Sequence, residues 1–124
     1  MHKYIICIGS NYEQKKNLSF AREQLKNIFP SVMFTPEKET APLQIKNPTF
    51  FLNQVAIFFS NKNEGEVQNE LKKIEIFSGR LPQDKQNGKV CLDIDLILCD
   101  NKILKPKDCK RGYVKELLSL LPFL

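Results

Sequence analysis

Two aspartates carry the clearest chemical signal in the sequence. Asp93 and Asp95 lie in the segment VCLDIDLILC, residues 90–99, where apolar residues alternate with others. A period of two predicts a strand with both carboxylates on one face, their Cα atoms about 7 Å apart. The opposite face would carry the apolar set Val90, Leu92, Ile94, Leu96 and Leu98. Paired carboxylates can bind hard cations such as magnesium, which in turn hold phosphates. The alternative is a half-buried strand whose solvated face happens to carry two aspartates.

Basic residues flank this segment on both sides. They are Arg80, Lys85 and Lys89 before it, and Lys102, Lys105, Lys107, Lys110 and Arg111 after it. A carboxylate pair between basic segments is what a metal and polyphosphate site requires. For any single lysine, a solvated surface position is the more frequent explanation. The sequence contains neither GxxxxGK[ST] nor GxGxxG, which argues against a P-loop or a Rossmann phosphate site.

Other polar residues are weaker candidates. Asn53 interrupts an apolar and aromatic segment, so its amide needs partners, either within the protein or from a hydrogen-bonding heterocycle. The tripeptide Gly9-Ser10-Asn11 follows an apolar run, where a side chain could cap the first helix or contact a ligand. The four cysteines form no CxxC pair and His2 is the sole histidine, so we expect no zinc set and no nucleophile, only reduced, structural thiols.

Composition is that of a globular domain. The 124 residues are 42% hydrophobic and 27% charged, which predicts one domain over residues 1–124. A net charge of +5 favours an anionic partner. No apolar run approaches the ~20 residues of a membrane helix, and the apolar N-terminus lacks a cleavage site of the A-x-A type. We therefore expect a cytoplasmic protein that does not bind membranes.

The hydrophobic pattern predicts the elements that must position these residues. In chain order they are a strand at 4–8, a helix at about 14–29, an edge strand at 32–40, a strand at 49–60, a helix at about 63–78, a polar mobile loop at 80–89, a strand at 90–99 and a short helix at 113–121. The order β-α-β-β-α-β predicts an α+β, ferredoxin-like split βαβ fold: an antiparallel sheet with both helices on one face and a short C-terminal helix.

Six segments together resemble the 6-hydroxymethyl-7,8-dihydropterin pyrophosphokinase family of folate synthesis. They are IGSN at 8–11, ETAPL at 39–43, FFLNQVA at 50–56, IEIFSGR at 74–80, LDIDLIL at 92–98 and RGY at 111–113. The resemblance covers nearly the whole chain, and the ferredoxin-like fold of the family agrees with the predicted order of elements. It implies a monomeric enzyme that transfers a pyrophosphoryl group from ATP to the pterin hydroxymethyl oxygen, leaving AMP, and that does not bind nucleic acid.

The resemblance also implies a role for each matching residue. Asp93 and Asp95 would bind two magnesium ions that bridge the ATP phosphates. The implied catalytic set consists of these two aspartates with Arg80 and Arg111. The implied pterin-binding residues are Thr40, Pro42, Leu43, Asn53 and Tyr113. The implied nucleotide-binding residues are Glu75, Arg80, Lys89 and Lys107.

The chain departs from the family pattern in its phosphate-binding segments. Pro82 and Val90 stand where members usually carry arginines, and Asn87 stands where they carry a tryptophan. These departures leave open a member that binds pterin or nucleotide without turnover. A ferredoxin-like module that binds nucleic acid through its charge is a third hypothesis. It is less consistent with the sequence, because the basic residues are scattered and are not interleaved with aromatic residues.

Overall fold

An antiparallel sheet organises the chain. In a computed structural model, which describes residues 1–41, 49–105 and 112–119, its six strands are β1 (His2–Ser10), β2 (Met33–Phe34), β3 (Lys38–Thr40), β4 (Phe51–Ser60), β5 (Asp93–Cys99) and β6 (Lys102–Ile103). Their order is β2-β4-β1-β5-β6, and β3 also pairs with β4. The predicted edge strand at 32–40 is thus divided around Pro36, whose backbone has no N–H to donate. The α+β, ferredoxin-like arrangement predicted from the sequence is confirmed.

Two helices cover one face of the sheet, which we call the helix face. They are α1 (Gln14–Ile28) and α2 (Glu64–Phe77). Their buried residues include Leu18, Ala21, Leu25, Val67, Leu71 and Ile74, and they pack against the alternate sheet residues Tyr4, Ile6, Ile8, Leu52, Ala56, Phe58, Ile94 and Leu96. A capping box starts α2: the Asn63 side chain accepts the Glu66 N–H, and the Glu66 carboxylate accepts the Asn63 N–H. Gly79, at φ 98°, follows its end as predicted.

A third helix, α3 (Gly112–Leu118), packs on the opposite face, which we call the site face. Its buried residues Val114 and Leu117 contact a second apolar cluster formed by Ile5, Cys7, Val55, Ile57 and Ile97. An ion pair between Lys38 and Glu116 connects α3 to β3. Within the described ranges, none of the helices has the length and apolar character that crossing a bilayer requires.

A β-bulge interrupts the pairing of β1 with β5. Ile5 pairs with Leu98 but Ile6 pairs with Leu96, so one extra residue of β5 is inserted between the two pairs. Beyond the bulge the faces are exchanged: Leu98 packs on the site face and Cys99 on the helix face. The alternation therefore holds for the aspartates, and the prediction that Leu98 shares a face with Leu96 is wrong.

The start of α1 also differs from the prediction. Glu13, at φ 43°, precedes the helix, and no side chain caps it. Ser10 Oγ instead donates to the Tyr12 carbonyl at 2.9 Å, and Asn11 bonds to the segment 88–90. Of the two alternatives left open for the tripeptide at 9–11, helix capping is excluded, because its polar side chains bond to backbone groups outside the helix.

The segment predicted as a polar loop contains a short helix. Residues Pro82–Asn87 form a 3-10 helix. The side chain of Asp84 is buried, and it accepts the Leu81 N–H at 2.9 Å. The Asp84 carbonyl accepts the Lys89 N–H at 3.0 Å, so the segment is held by hydrogen bonds between its own residues. This folded segment leads directly to β5, which begins at Asp93.

An ion-pair network connects α1 to the residues between β2 and β3. Glu37 accepts hydrogen bonds from Lys15 Nζ at 2.6 Å and from Arg22 Nη1 at 2.9 Å. Arg22 also donates to Gln54 Oε1 at 3.0 Å, next to Asn53 in β4. Burial opposes ionisation of Glu37, but the hydrogen bonds and charges of Lys15 and Arg22 outweigh it and hold its pKa below the ordinary value.

We expect Glu37→Gln to lower the free energy of unfolding by about 1 kcal/mol at neutral pH, because the amide keeps the size but loses the charge. A carboxyl group whose pKa is lowered by folding stabilises the protein above its unfolded pKa of about 4.3, and this contribution disappears as the pH falls through the folded pKa. Urea denaturation of both proteins should therefore show a difference at pH 7 that shrinks as the pH falls below about 4. An undiminished difference at pH 3 would contradict this account.

Candidate active site

The register of the sheet brings the predicted residues of β4 and β5 to one end of the site face. Gly9, near the end of β1, pairs with Asn53 on one side and with Asp93 on the other. Since neighbouring strands lie about 4.8 Å apart, the Cα atoms of Asn53 and Asp93 are about 10 Å apart across Gly9. A Cβ atom at position 9 would lie 3.1 Å from Asn53 Oδ1. The absence of a side chain at Gly9 therefore keeps the space between the amide and the carboxylate open.

Asn53 is buried and has partners within the protein. Its Nδ2 donates to Thr40 Oγ1 at 2.6 Å and to the Lys38 carbonyl at 3.3 Å. Both partners belong to β3, the short edge strand next to β4. Of the two explanations left open by the sequence, an internal partner thus accounts for the amide nitrogen. The same contact brings together Asn53 and Thr40, two of the predicted pterin-binding residues.

Asp93 and Asp95 project from the same face of β5, as predicted, and each contacts a cation. Arg80 Nη1 lies 3.3 Å from Asp93 Oδ1, and Lys105 Nζ lies 2.5 Å from Asp95 Oδ1. Burial raises the pKa of Asp93, and the charge of Asp95 raises it further. Because two neighbouring negative charges repel each other, a bound cation lowers the electrostatic energy of the pair. Two carboxylates with substrate phosphates form a typical protein environment for magnesium, so the donor set fits this ion.

Arg80 connects α2 to β5 at the edge of the sheet. Its guanidinium lies 3.2 Å from Glu75 Oε2 and donates to the Leu92 carbonyl at 3.3 Å. Glu75 in turn accepts the Ile94 N–H at 2.7 Å. Burial raises the pKa of Glu75 to about 7 against the effect of that N–H, and the charge of Asp93 adds to the rise. The structure therefore unites three predicted residues, Glu75, Arg80 and Asp93, in one charged cluster.

A groove of about 480 Å³ opens beside this cluster. It is lined by Lys72, Glu75, Ile76, Arg80, Leu81 and Pro82. The side chains of Ile76 and Leu81 are exposed, so the groove offers apolar surface next to cationic groups. Such a combination suits a ligand that carries both an aromatic ring and negative charge.

Lys89, predicted to bind nucleotide, contacts an aromatic ring. Its ammonium nitrogen lies 4.0 Å from the centroid of the Tyr12 ring, a cation–π geometry. The contact holds the ammonium group at the connection between β1 and α1. Lys89 is thus placed at the end of β1 that carries Gly9, but with Tyr12 as its neighbour.

Four other predicted site residues, Pro42, Leu43, Lys107 and Arg111, lie outside the described residues. Tyr113 lies in the first turn of α3, immediately before Val114, which packs on the site face. Its side chain is also outside the described residues. The roles that the resemblance implies for these five residues stay predictions.

Asn11 is a site residue whose part the sequence does not reveal. It is buried, its Nδ2 donates to the Gly88 carbonyl at 2.7 Å, and its Oδ1 accepts the Val90 N–H at 2.6 Å. Its own N–H donates to the Val90 carbonyl at 2.9 Å. These three hydrogen bonds fasten the segment before Asp93 to the end of β1. No local signal could have found them, because the partners lie 77 and 79 residues away in the sequence.

The fold and these contacts define a ferredoxin-like domain with a carboxylate pair suited to phosphate chemistry. The family model described as 7,8-dihydro-6-hydroxymethylpterin-pyrophosphokinase matches residues 5–122, nearly the whole chain. The chain belongs to this family of pterin pyrophosphokinases of folate biosynthesis.

Two further comparisons add no argument about function. None of the curated proteins compared with the chain matches it. Among solved structures, the chain is similar to the solution structure of the C-terminal domain of the MgtC protein from Mycobacterium tuberculosis, with 4% sequence identity and a TM-score of 0.42 over 77% of this chain and 87% of that chain.

We expect Asn11→Ala to lower the free energy of unfolding by about 2–3 kcal/mol, because the Gly88 carbonyl and the partly buried Val90 N–H each lose a hydrogen bond. Hydrogen exchange at the Val90 N–H should accelerate in the same variant. Asn61→Ala, at an exposed position after β4, is the matched control for urea denaturation. A loss for Asn11→Ala no larger than that of the control would show that Asn11 does not fasten this segment.

Proposed function

We propose that this protein transfers a pyrophosphoryl group from ATP to the hydroxymethyl oxygen of 6-hydroxymethyl-7,8-dihydropterin in a magnesium-dependent reaction that releases AMP. The observation that carries the proposal is the row Asn53, Gly9 and Asp93 across the site face. It aligns a hydrogen-bonding amide with a carboxylate pair whose Cα positions lie about 10 Å away, across a position without a side chain. Family membership supports the class of reaction.

The amide end of the row is the proposed pterin site. Because Thr40 and the Lys38 carbonyl already accept from Nδ2, Asn53 offers its Oδ1 as an acceptor for the N–H groups at the edge of a heterocycle such as a pterin. The Oδ1 of Asn53 borders the space above Gly9, whereas its Nδ2 is oriented by Thr40. We propose that Thr40 and Asn53 bind the pterin together with Pro42, Leu43 and the ring of Tyr113.

The carboxylate end is the proposed metal site. Asp93 and Asp95 would hold two magnesium ions, which when bound would supply positive charge to the phosphates of ATP. Arg80 and Lys105 contact these carboxylates in the structure, so both cations are within reach of phosphate oxygens bound there. Glu75 holds the Arg80 guanidinium from the other side and so limits its orientations.

The groove beside Arg80 is the proposed nucleotide site. Its apolar side chains, Ile76 and Leu81, offer surface to the base, and Arg80 lies between this surface and Asp93. We propose Lys89, Lys107 and Arg111 as further cations on the nucleotide side. A bound nucleotide would then place its phosphates over β5.

The chemistry requires alignment more than a reactive side chain. The pterin hydroxyl oxygen forms a bond to the β-phosphorus, the bond from that phosphorus to the oxygen shared with the α-phosphate breaks, and AMP leaves. The hydroxyl proton passes to solvent. Positioning of the two substrates and compensation of phosphate charge supply the acceleration in such transfers. This agrees with a site built from an amide, carboxylates and cations.

We further propose that the enzyme is cytoplasmic and monomeric.

A member that binds its ligands without turnover is the second candidate. Pro82 begins the 3-10 helix, and Val90 is bonded through its backbone to Asn11. Because both side chains are uncharged, neither position supplies a cation to bound phosphates. If each missing arginine contributes about 2 kcal/mol, turnover would be slower by about 10³-fold. Slow turnover would support the first candidate, and pterin binding without any product would support the second.

We expect Asp95→Asn to weaken binding of magnesium–ATP by about 100-fold, because it removes one charge from the proposed ligand pair. The amide keeps the size of the side chain, and relief of the repulsion with Asp93 offsets the loss of the Lys105 contact, so urea denaturation should show little change in stability. Glu23→Gln, at an exposed position in α1, is a control that removes one charge elsewhere. Calorimetric titration that gives the same affinity for Asp95→Asn and the control would sink the metal assignment.

We expect Gly9→Ala to weaken pterin binding by about 10-fold, since the new Cβ would crowd Asn53 Oδ1 and narrow the space above β1. Binding of magnesium–ATP should change little. Gly65→Ala is the matched control, because a Cβ there meets its nearest atom at an ordinary 3.5 Å. Equal pterin affinities for the two variants would contradict the placement of the pterin beside Gly9.

A further inference from the structure

A second cluster of metal-ligating side chains lies at the other end of β1 and β5. A ring nitrogen of His2, Cys99 Sγ and a carboxylate oxygen of Asp100 all lie within 4.8 Å of one another. Among the described residues, this is the one group in which three candidate metal ligands lie this close together. Cys99 is six residues beyond Asp93 along β5, so the cluster lies about 20 Å from the candidate active site.

The β-bulge of β5 explains why these side chains meet. Strict alternation would place Cys99 on the site face with Asp93 and Asp95. The extra residue turns Cys99 to the helix face, opposite Tyr4 of β1. His2 lies two residues before Tyr4 on the same face, and the centroids of their rings are 6.1 Å apart. The bulge thus brings a thiol next to an imidazole.

The third donor is held in place by the backbone. Asp100 adopts a left-handed conformation with φ 54°, and its N–H donates to the Lys3 carbonyl at 2.7 Å. Its Oδ1 accepts the Lys3 N–H at 2.8 Å, and its Oδ2 lies 2.8 Å from His2 Nδ1. The Lys3 N–H and then His2 hold the pKa of Asp100 below its ordinary value. One carboxylate oxygen is therefore fixed by the Lys3 N–H, and the other is directed at the imidazole.

We propose that His2, Cys99 and Asp100 form a binding site for one thiophilic divalent transition-metal ion, for which zinc is the test ion. Imidazole nitrogen, thiolate sulfur and carboxylate oxygen are the three donor types that zinc accepts in proteins. Magnesium takes oxygen donors, so this site and the aspartate pair differ in the metal that they prefer.

Binding at this site is balanced in charge and protons. The Cys99 S–H bond breaks, a bond from sulfur to the metal forms, and the proton passes to the buffer. A thiolate and a carboxylate together compensate the double charge of the ion. The metal replaces the hydrogen bond between His2 and Asp100, while the Lys3 N–H keeps its hold on Asp100 Oδ1. The fourth ligand position is left to water or another small ligand.

The sequence alone argues against a zinc set, because it has one histidine and no CxxC pair. The cluster arises only through pairing of the first strand with the end of β5, since His2 and Asp100 are 98 residues apart. In the competing explanation, these side chains merely close the turn between β5 and β6 through hydrogen bonds. The metal site requires the Cys99 thiolate as a ligand, whereas the hydrogen-bonded turn does not require Cys99.

The test uses the full chain, stripped of metal, with excess magnesium to occupy the aspartate pair. Titration with cobalt should produce a thiolate-to-cobalt charge-transfer absorption that saturates at one ion per chain and is removed by zinc. Cys99→Ala should abolish this absorption. His2→Gln, at a half-exposed position that is not needed for the core, should weaken zinc binding by at least about 100-fold, more than the loss of a residue that only supports a ligand.

Cys91→Ala and Cys109→Ala are the matched controls and should retain the absorption. The proposal is overturned if no charge-transfer absorption forms, if it survives in Cys99→Ala, or if a control removes it. Equal zinc affinities of His2→Gln and the unmodified chain would also overturn it. Because magnesium–ATP binding by Cys99→Ala should be unchanged, failure of this proposal is distinguishable from failure of the proposed enzyme function.

Discussion

The central strand β1 determines the rest of the structure, because it is hydrogen-bonded along both edges. Every residue from Tyr4 to Ser10 is buried, and the register of β1 with β4 and β5 decides which side chains share a row. A slip of one residue in either ladder would move Asn53 or Asp93 to the helix face. The candidate active site therefore depends on strand register before it depends on any single contact within it.

The two ends of the β1–β5 ladder carry different chemistry. At one end, oxygen donors of Asp93 and Asp95 are compensated by Arg80 and Lys105, so the fold does not need a metal to tolerate two neighbouring carboxylates. At the other end, a bulge exchanges the faces and groups a thiol with an imidazole and a carboxylate. Asn11 holds the first end together through hydrogen bonds to the backbone that precedes β5.

Local periodicity and the family resemblance could predict the elements and much of the site. Alternation places Asp93 and Asp95 on one face, and the FLN segment identifies Asn53, because both signals lie within a few consecutive residues. The bulge, the reversal of Leu98 and the role of Asn11 could not be predicted in this way. Each depends on pairing between segments far apart in the chain, and a hydrophobic pattern specifies the faces of a strand but not an inserted residue in its ladder.

The measurement that tests the central claim most directly is a turnover assay with purified protein, magnesium, ATP and 6-hydroxymethyl-7,8-dihydropterin, in which AMP and the pterin diphosphate are quantified together. Our account predicts both products in equal amounts, their loss when EDTA removes magnesium, and their return when magnesium is restored. Tight pterin binding with neither product formed, or AMP formed without pterin diphosphate, would contradict the proposed pyrophosphoryl transfer.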